Sequence, residues 1–153
     1  SSWPQLFLGI TFNYGLILGW TSISEQLDII PFIFYFGAIF WTLGYDTIYG
    51  YQDIQDDEII GLKSTSIKFK GTEKSFLTIC YSILIFSLLI GGYQMNFNKY
   101  YYILLILPIS QLIFYQIKFF DSKNPNNCLK IFKSNNYLGL LILISIFIGK
   151  NYL

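Results

Sequence analysis

An all-α integral membrane bundle of five spanning helices is the fold class the sequence predicts, and three observations carry that reading. Of 153 residues, 54% are hydrophobic and only 12% are charged, which is more apolar and less charged than ordinary soluble domains. The apolar residues gather into five runs, at 6–23, 29–45, 75–93, 100–117 and 137–153, each near the roughly 20 residues that a spanning helix needs. The runs are too long for buried strands, which are typically about 4 to 8 residues. Together they nearly exhaust the chain, so residues 1–153 read as a single transmembrane domain with no soluble module.

In the first run, Pro4 suits a helix's first turn, where a missing N–H is harmless. The lead-in Ser1-Ser2-Trp3-Pro4-Gln5 carries no basic residue, so it does not read as a cleaved signal peptide. The absent initiator Met suggests a processed or partial chain. Pro31 opens the second run as Pro4 opens the first. The third run is uninterrupted, whereas Pro108 falls inside the fourth and predicts a kink there. Asn124-Pro125-Asn126-Asn127 predicts a turn before the fifth. Asn13 and Gln111 are polar groups inside spans, expected to hydrogen-bond between helices.

All ten basic residues are lysines. Lys63, Lys68, Lys70 and Lys74 lie between runs two and three, and Lys118, Lys123, Lys130 and Lys133 between runs four and five; only Lys99 and Lys150 fall on the opposite side. By the positive-inside rule both lysine-rich loops face the cytoplasm, with the N-terminus inside and the C-terminus outside. The net charge of +1 hides this segregation, which suits anionic lipid headgroups, an anionic substrate, or both. No nucleic-acid partner is expected. Histidine is absent, which excludes imidazole ligation and imidazole acid/base chemistry. Cys80, inside a span, and Cys128, assigned to a loop, are expected to be free thiols.

One segment resists a purely structural explanation. Tyr45-Asp46-Thr47-Ile48-Tyr49-Gly50-Tyr51-Gln52-Asp53-Ile54-Gln55-Asp56-Asp57 places several acids at the end of an oily run, where charge is costly unless it is paired or functional. On a continuous helix Asp46, Asp53 and Asp57 share one face, at offsets of seven and four. Carboxylates four apart repel each other by about 3 kcal/mol at an effective dielectric near 20, and a cation would convert that repulsion into binding. Oxygen donors so spaced suit Mg²⁺, which takes one or two carboxylates together with water and substrate phosphate. Gly61-Leu62-Lys63-Ser64 then offers a close backbone, a point charge and a hydroxyl, all suited to diphosphate. Two other readings stay open: the acids form a solvated membrane-exit segment, or Asp46 caps neighbouring backbone.

Tyr45-Asp46-Thr47-Ile48-Tyr49, Asp53-Ile54-Gln55-Asp56-Asp57 and Gly61-Leu62-Lys63-Ser64-Thr65 resemble the second aspartate-rich motif of the UbiA-type intramembrane prenyltransferases, and within them the 4-hydroxybenzoate polyprenyltransferases. Trp3-Pro4-Gln5, residues 8–15 and Gly19-Trp20 resemble the span before that motif. The resemblance implies a nine-helix fold of which this chain would be the last five, and a first aspartate-rich motif on a missing N-terminal half, without which the chain would be inactive. It implies a bacterial enzyme of the inner (cytoplasmic) membrane, with its Asp-rich loop facing the cytoplasm. The implied reaction transfers a polyprenyl group from polyprenyl diphosphate to the ring of 4-hydroxybenzoate, for ubiquinone. By the same resemblance Asp53 and Asp57 hold Mg²⁺ with Asp56 close by, Lys63 and Ser64 contact diphosphate, and Asp46 and Tyr49 orient groups or stabilise an allylic cation. Gly50, where the family commonly has Ala, is expected to leave the helix face intact. Other aromatic acceptors, or a cation-coupled transporter with no enzymatic activity, are the alternatives; the latter fits less well because transporter sites lie near the midplane.

Overall fold

The computed structural model describes residues 2–150, which are all-helical with no strand among them and include five helices long and apolar enough to cross a membrane. The first span is divided into α1 (Pro4–Phe12) and α2 (Gly15–Ser24). The break sits at Asn13, whose Nδ2 donates to the Gly9 carbonyl at 2.8 Å and to Thr42 Oγ1 at 2.8 Å on the second span. A side-chain amide that takes a backbone carbonyl competes with the helix ladder. Asn13 thus joins helices, as expected, and keeps its own N–H on the Gly9 carbonyl; the ladder is interrupted at the next carbonyl, that of Ile10, which accepts from the Tyr35 hydroxyl at 2.6 Å while the Tyr14 N–H turns to Thr11.

The second span is longer than its apolar run. α3 (Ile29–Gly50) starts at Asp28, whose carboxylate accepts from the Ile29 N–H at 2.6 Å. It continues past residue 45 into a 3₁₀ turn, Tyr51–Asp53, and then α4 (Ile54–Ile59). Continuity of helix through Asp57 is therefore not observed. Asp53 has φ −114° and ψ 17°, which is not helical and resets the phase between Asp46 and Asp57. The core supplies the cause: Tyr51 is 2% exposed and packs against Phe120 at 5.6 Å between centroids, while Ile54 is also buried. Tightening the turn lets both enter the core.

After a short α5 (Thr65–Lys68), α6 (Glu73–Gln94) forms the third span. α3 packs more extensively on α6 than on any other helix, at places where small residues let the backbones approach. A Cβ at Gly44 would lie 2.7 Å from the Tyr81 ring. The fourth span is α7 (Lys99–Ser110) followed by a π-helical stretch, Gln111–Ile117. The expected irregularity thus appears just beyond Pro108 as π-helix, a form that absorbs an extra residue.

The fifth span begins well before the apolar run. α8 covers Pro125–Lys150, so Asn124-Pro125-Asn126-Asn127 is a helix start and not a free turn. Pro125 suits the first helical position, and Asn124 Oδ1 accepts from the Asn127 N–H at 3.2 Å, as an N-cap does. Cys128, Lys130 and Lys133 consequently lie on the helix and not in a loop. Cys80 and Cys128 are both free and buried. The expected end of this run at residue 153 lies outside the described residues.

Four elements meet in one buried polar network. Tyr81 of α6 donates to Gln116 Oε1 at 2.6 Å, and Gln116 Nε2 donates to Asn135 Oδ1 at 3.0 Å and to Gln111 Oε1 at 2.8 Å. Trp41 Nε1 of α3 donates to the same Asn135 oxygen at 2.9 Å, and Gln111 Nε2 donates to Ser134 Oγ at 2.9 Å. Such bonds hold spanning helices together where lipid offers no hydrophobic drive. The two lysine-rich connections come together at one end of the bundle, where Lys74 Nζ donates to the Lys118 carbonyl at 3.1 Å and Ser122 Oγ to Glu73 at 3.1 Å. Asn98 meets Gly149 at the other end, its N–H donating to the Gly149 carbonyl at 3.1 Å.

Candidate functional site

The acids fall into two groups. Asp46 is half-buried on α3, within the span, and its carboxylate forms no hydrogen bond or ion pair among the described residues. The capping role left open for it is not observed. Tyr49, 45% exposed, lies on the same side of α3 and packs on Phe132 of α8 at 4.8 Å. Asp53, Asp56 and Asp57 lie further out, the first on the 3₁₀ turn and the others in the first turn of α4.

The lysines next to these acids do not neutralise them. Lys70 Nζ approaches Glu58 at 2.8 and 2.9 Å, the one ion pair among the described residues. Asp53, Asp56 and Asp57 have no such partner and stay wholly or partly exposed. No three acidic, Cys or His side chains converge closely enough to hold a metal ion among the described residues. Two carboxylates are nevertheless as many as Mg²⁺ commonly takes from a protein, and the donor set, oxygen throughout and unpaired, fits such an ion.

A cavity of about 770 Å³ lies behind the turn, with Asp53, Asp56, Lys70, Glu73 and Lys123 among its lining. Asp57, Lys63, Ser64, Asp46 and Tyr49 are not part of that lining. Sequence reasoning grouped Asp53 with Asp57 but missed Lys70, Glu73 and Lys123, which the meeting of the two connections brings in. No spacing rule links residues 53 and 123.

Lys63 is exposed, in a loop turned by Gly61 at φ +73°, a backbone setting that favours glycine. Next to it Ser64 is buried and caps α5, its Oγ accepting from the Ile67 N–H at 3.2 Å. A hydroxyl that accepts in this way keeps its proton to donate. The loop rests on a seat of polar groups. Thr65 and Ser66 are fully buried; the Thr65 N–H donates to Gln5 Oε1 at 3.0 Å, the Thr47 and Thr65 hydroxyls lie 2.6 Å apart, and Ser66 Oγ donates to the Thr47 carbonyl at 2.8 Å. Gln5, Thr47 and Ser66 were not among the expected site residues. A Cβ at Gly50 would collide with Ser66 Oγ. Alanine at that position would not fit beside Ser66, because the loop seat occupies the space.

A model described as the UbiA prenyltransferase family matches residues 1–146. The chain is 39% identical over 150 residues to the mitochondrial 4-hydroxybenzoate polyprenyltransferase of Homo sapiens, covering 97% of this chain and 40% of that one. It is 38% identical over 148 residues to the Bos taurus enzyme of the same name, covering 96% and 40%. It is 38% identical over 149 residues to 4-hydroxybenzoate geranyltransferase 2 of Lithospermum erythrorhizon, covering 97% and 48%. The chain thus spans less than half the length of these relatives. No solved structure matches significantly. The bacterial inner membrane expected from the sequence is overturned, because these relatives are eukaryotic and several are named mitochondrial. Lysine asymmetry distinguishes the two sides of a membrane but carries no information about which membrane it is.

Proposed function

The chain belongs to the UbiA prenyltransferase family, and from that membership we propose that it is part of an enzyme that transfers a polyprenyl group from polyprenyl diphosphate to 4-hydroxybenzoate. One observation carries the reading: at a membrane mouth Glu58 takes the nearby Lys70, and Asp53, Asp56 and Asp57 are left without a counter-ion. Carboxylates gathered within five residues of chain repel one another even where water reaches them, and a metal-bound diphosphate would offset that repulsion. The acceptor follows the names of the relatives, which share 4-hydroxybenzoate and differ in the donor, polyprenyl in some and geranyl in others.

In this proposal Asp53 and Asp57 hold Mg²⁺, with Asp56 beside them, and residues outside these 153 supply the rest of the site. The bound ion would neutralise diphosphate and make it a better leaving group. Lys63, on its seated loop, and the Ser64 hydroxyl add positive potential and a donor at the departing oxygens. The bond between the allylic carbon and diphosphate breaks, the ring carbon beside the phenolic hydroxyl forms the new C–C bond, and that carbon's proton leaves. Tyr49 presents a ring face to the developing allylic cation, with the Asp46 carboxylate on the same side of α3. The same reading puts the enzyme in a mitochondrial membrane, as the names of the relatives suggest, with the isoprenoid tail among the helices.

The test is prenyl transfer by the full-length protein in membranes, supplied with Mg²⁺, 4-hydroxybenzoate and a polyprenyl diphosphate. Chelation should abolish product and added Mg²⁺ restore it, and Asp53→Ala or Asp57→Ala should each reduce turnover by about a hundredfold or more, the scale of losing one electrostatic stabiliser. Unchanged turnover in both variants would remove the metal assignment.

A further inference from the structure

Trp41, Tyr45 and Tyr49 follow one another at four-residue steps along α3, and with Phe132 of α8 they form a continuous run of rings. Trp41 meets Tyr45 edge-on at 5.7 Å, Tyr45 meets Phe132 at 5.8 Å, and Phe132 meets Tyr49 at 4.8 Å. Eight helical residues rise about 12 Å, so the run reaches from mid-span to just before the turn that carries Asp53. These rings lie between α3 and α8, and Asp46 stands about 60° around α3 from the last of them, Tyr49. Tyr45, Tyr49 and Phe132 do not belong to the buried core, so core packing does not account for them.

The far end of the run is fixed twice over. The indole N–H of Trp41 donates to Asn135 Oδ1 at 2.9 Å, and the opposite edge of the indole lies over Gly139, where a Cβ would stand 3.2 Å from Cη2. Asn135 and Gly139 are one turn apart on α8. An indole nitrogen can only donate, which orients the Asn135 amide with its oxygen toward Trp41. That oxygen also accepts from Gln116, itself held by Tyr81. The position of the first ring is therefore set by a buried network, and each later ring leans on the one before.

We propose that Asn135 is a positioning residue: through Trp41 it closes the four-ring wall, and the wall seals the contact between α3 and α8 so that water does not reach the allylic carbon of the prenyl donor by that route. The inference rests on the prenyl-transfer reading. A cation formed beside the acidic turn has two fates. Capture by the aromatic ring gives the prenylated acid, whereas capture by water forms a C–O bond, releases a proton and yields the free prenol with the same loss of diphosphate. A loosened wall shifts the division between them without needing to change how much diphosphate is released.

The experiment measures prenol and prenylated acid from one incubation of the full-length enzyme in membranes. Trp41→Phe keeps a ring and deletes the N–H; Asn135→Leu deletes the acceptor. Each should raise the prenol-to-product ratio by about three- to tenfold, the effect of one net hydrogen bond. The double variant should show no rise beyond Asn135→Leu, which has already removed the Trp41 bond along with the acceptor of Gln116. If Asn135→Leu does not accumulate, Trp41→Phe alone decides. A fall in both products at constant ratio, or effects that multiply in the double variant, would overturn the positioning role while leaving the prenyl-transfer reading intact. Absence of prenylated acid from the unaltered enzyme would instead remove that reading.

Discussion

Gly50→Ala pits a general helix preference against one local collision, and the sign of its effect is open to measurement. In an unobstructed helix interior the change is stabilising by about 1 kcal/mol, because Ala loses less backbone entropy than Gly. Here the new methyl would overlap Ser66 Oγ, and Ser66 Cβ is only 3.2 Å away, so the side chain cannot simply recede. Ser66 must rotate and give up its 2.8 Å bond to the Thr47 carbonyl, in a place where its exposure is 0%. An unsatisfied buried hydroxyl costs about 1–3 kcal/mol, added to about 1 kcal/mol for the lost bond. After the helix gain the expected net loss is about 1–3 kcal/mol. For a chain of this size that lowers the midpoint by about 2–4 °C per kcal/mol. The assay is the fraction of full-length protein still monodisperse in detergent after stepwise heating. Ser66→Ala removes the oxygen, so Gly50→Ala should cost less in that background. A rise in the midpoint on Gly50→Ala, or an equal cost in both backgrounds, would refute the collision argument.

Other outcomes follow from the same geometry. Gln116→Leu leaves the Tyr81 hydroxyl without its acceptor and removes donors to Asn135 and Gln111, and should cost about 1–3 kcal/mol, read as a lower heating midpoint. Gly44→Ala drives a methyl to 2.7 Å from the Tyr81 ring and should lower the midpoint by an overpacking cost of about 1–3 kcal/mol. Lys70→Ala breaks an exposed ion pair whose side chains are 54% and 36% accessible; exposed pairs are worth about 1 kcal/mol or less, so the heating midpoint should barely move and should be insensitive to salt.

The five spans are legible in sequence because a helix crossing lipid must satisfy its own backbone and bury its apolar side chains over a known length. Their ends are less legible. α8 begins at Pro125 because a cap and a proline start a helix as well as an apolar residue does, yet hydropathy does not register residues 125–136 as part of a span. The phase change at Asp53 escaped because nothing local distinguishes Tyr51 from an ordinary helical residue; its cause is Phe120, which lies 69 positions further on. The acids were recognisable because charge beside hydrocarbon is rare. Gln5, Lys123 and Asn135 were not, since each acts through a partner distant in sequence, and Asn135 sits in a lysine- and asparagine-rich stretch where one more polar residue carries no signal.

The π-helical stretch makes this chain sensitive to length in a way that substitution would not reveal. On an α-helix Gln111 and Gln116 would point about 140° apart, yet Gln116 Nε2 reaches Gln111 Oε1 at 2.8 Å because a π turn returns after five residues. Removing one residue between them, even the exposed Phe114, would bring them to a spacing of four, about 40° apart on a regular α-helix, so the pair would still meet. Adding one would spread them by about 120° and swing Gln116 away from its partners. An insertion here therefore disconnects four helices at once, while a deletion, or a change of side chain at the same position, leaves the connection in place.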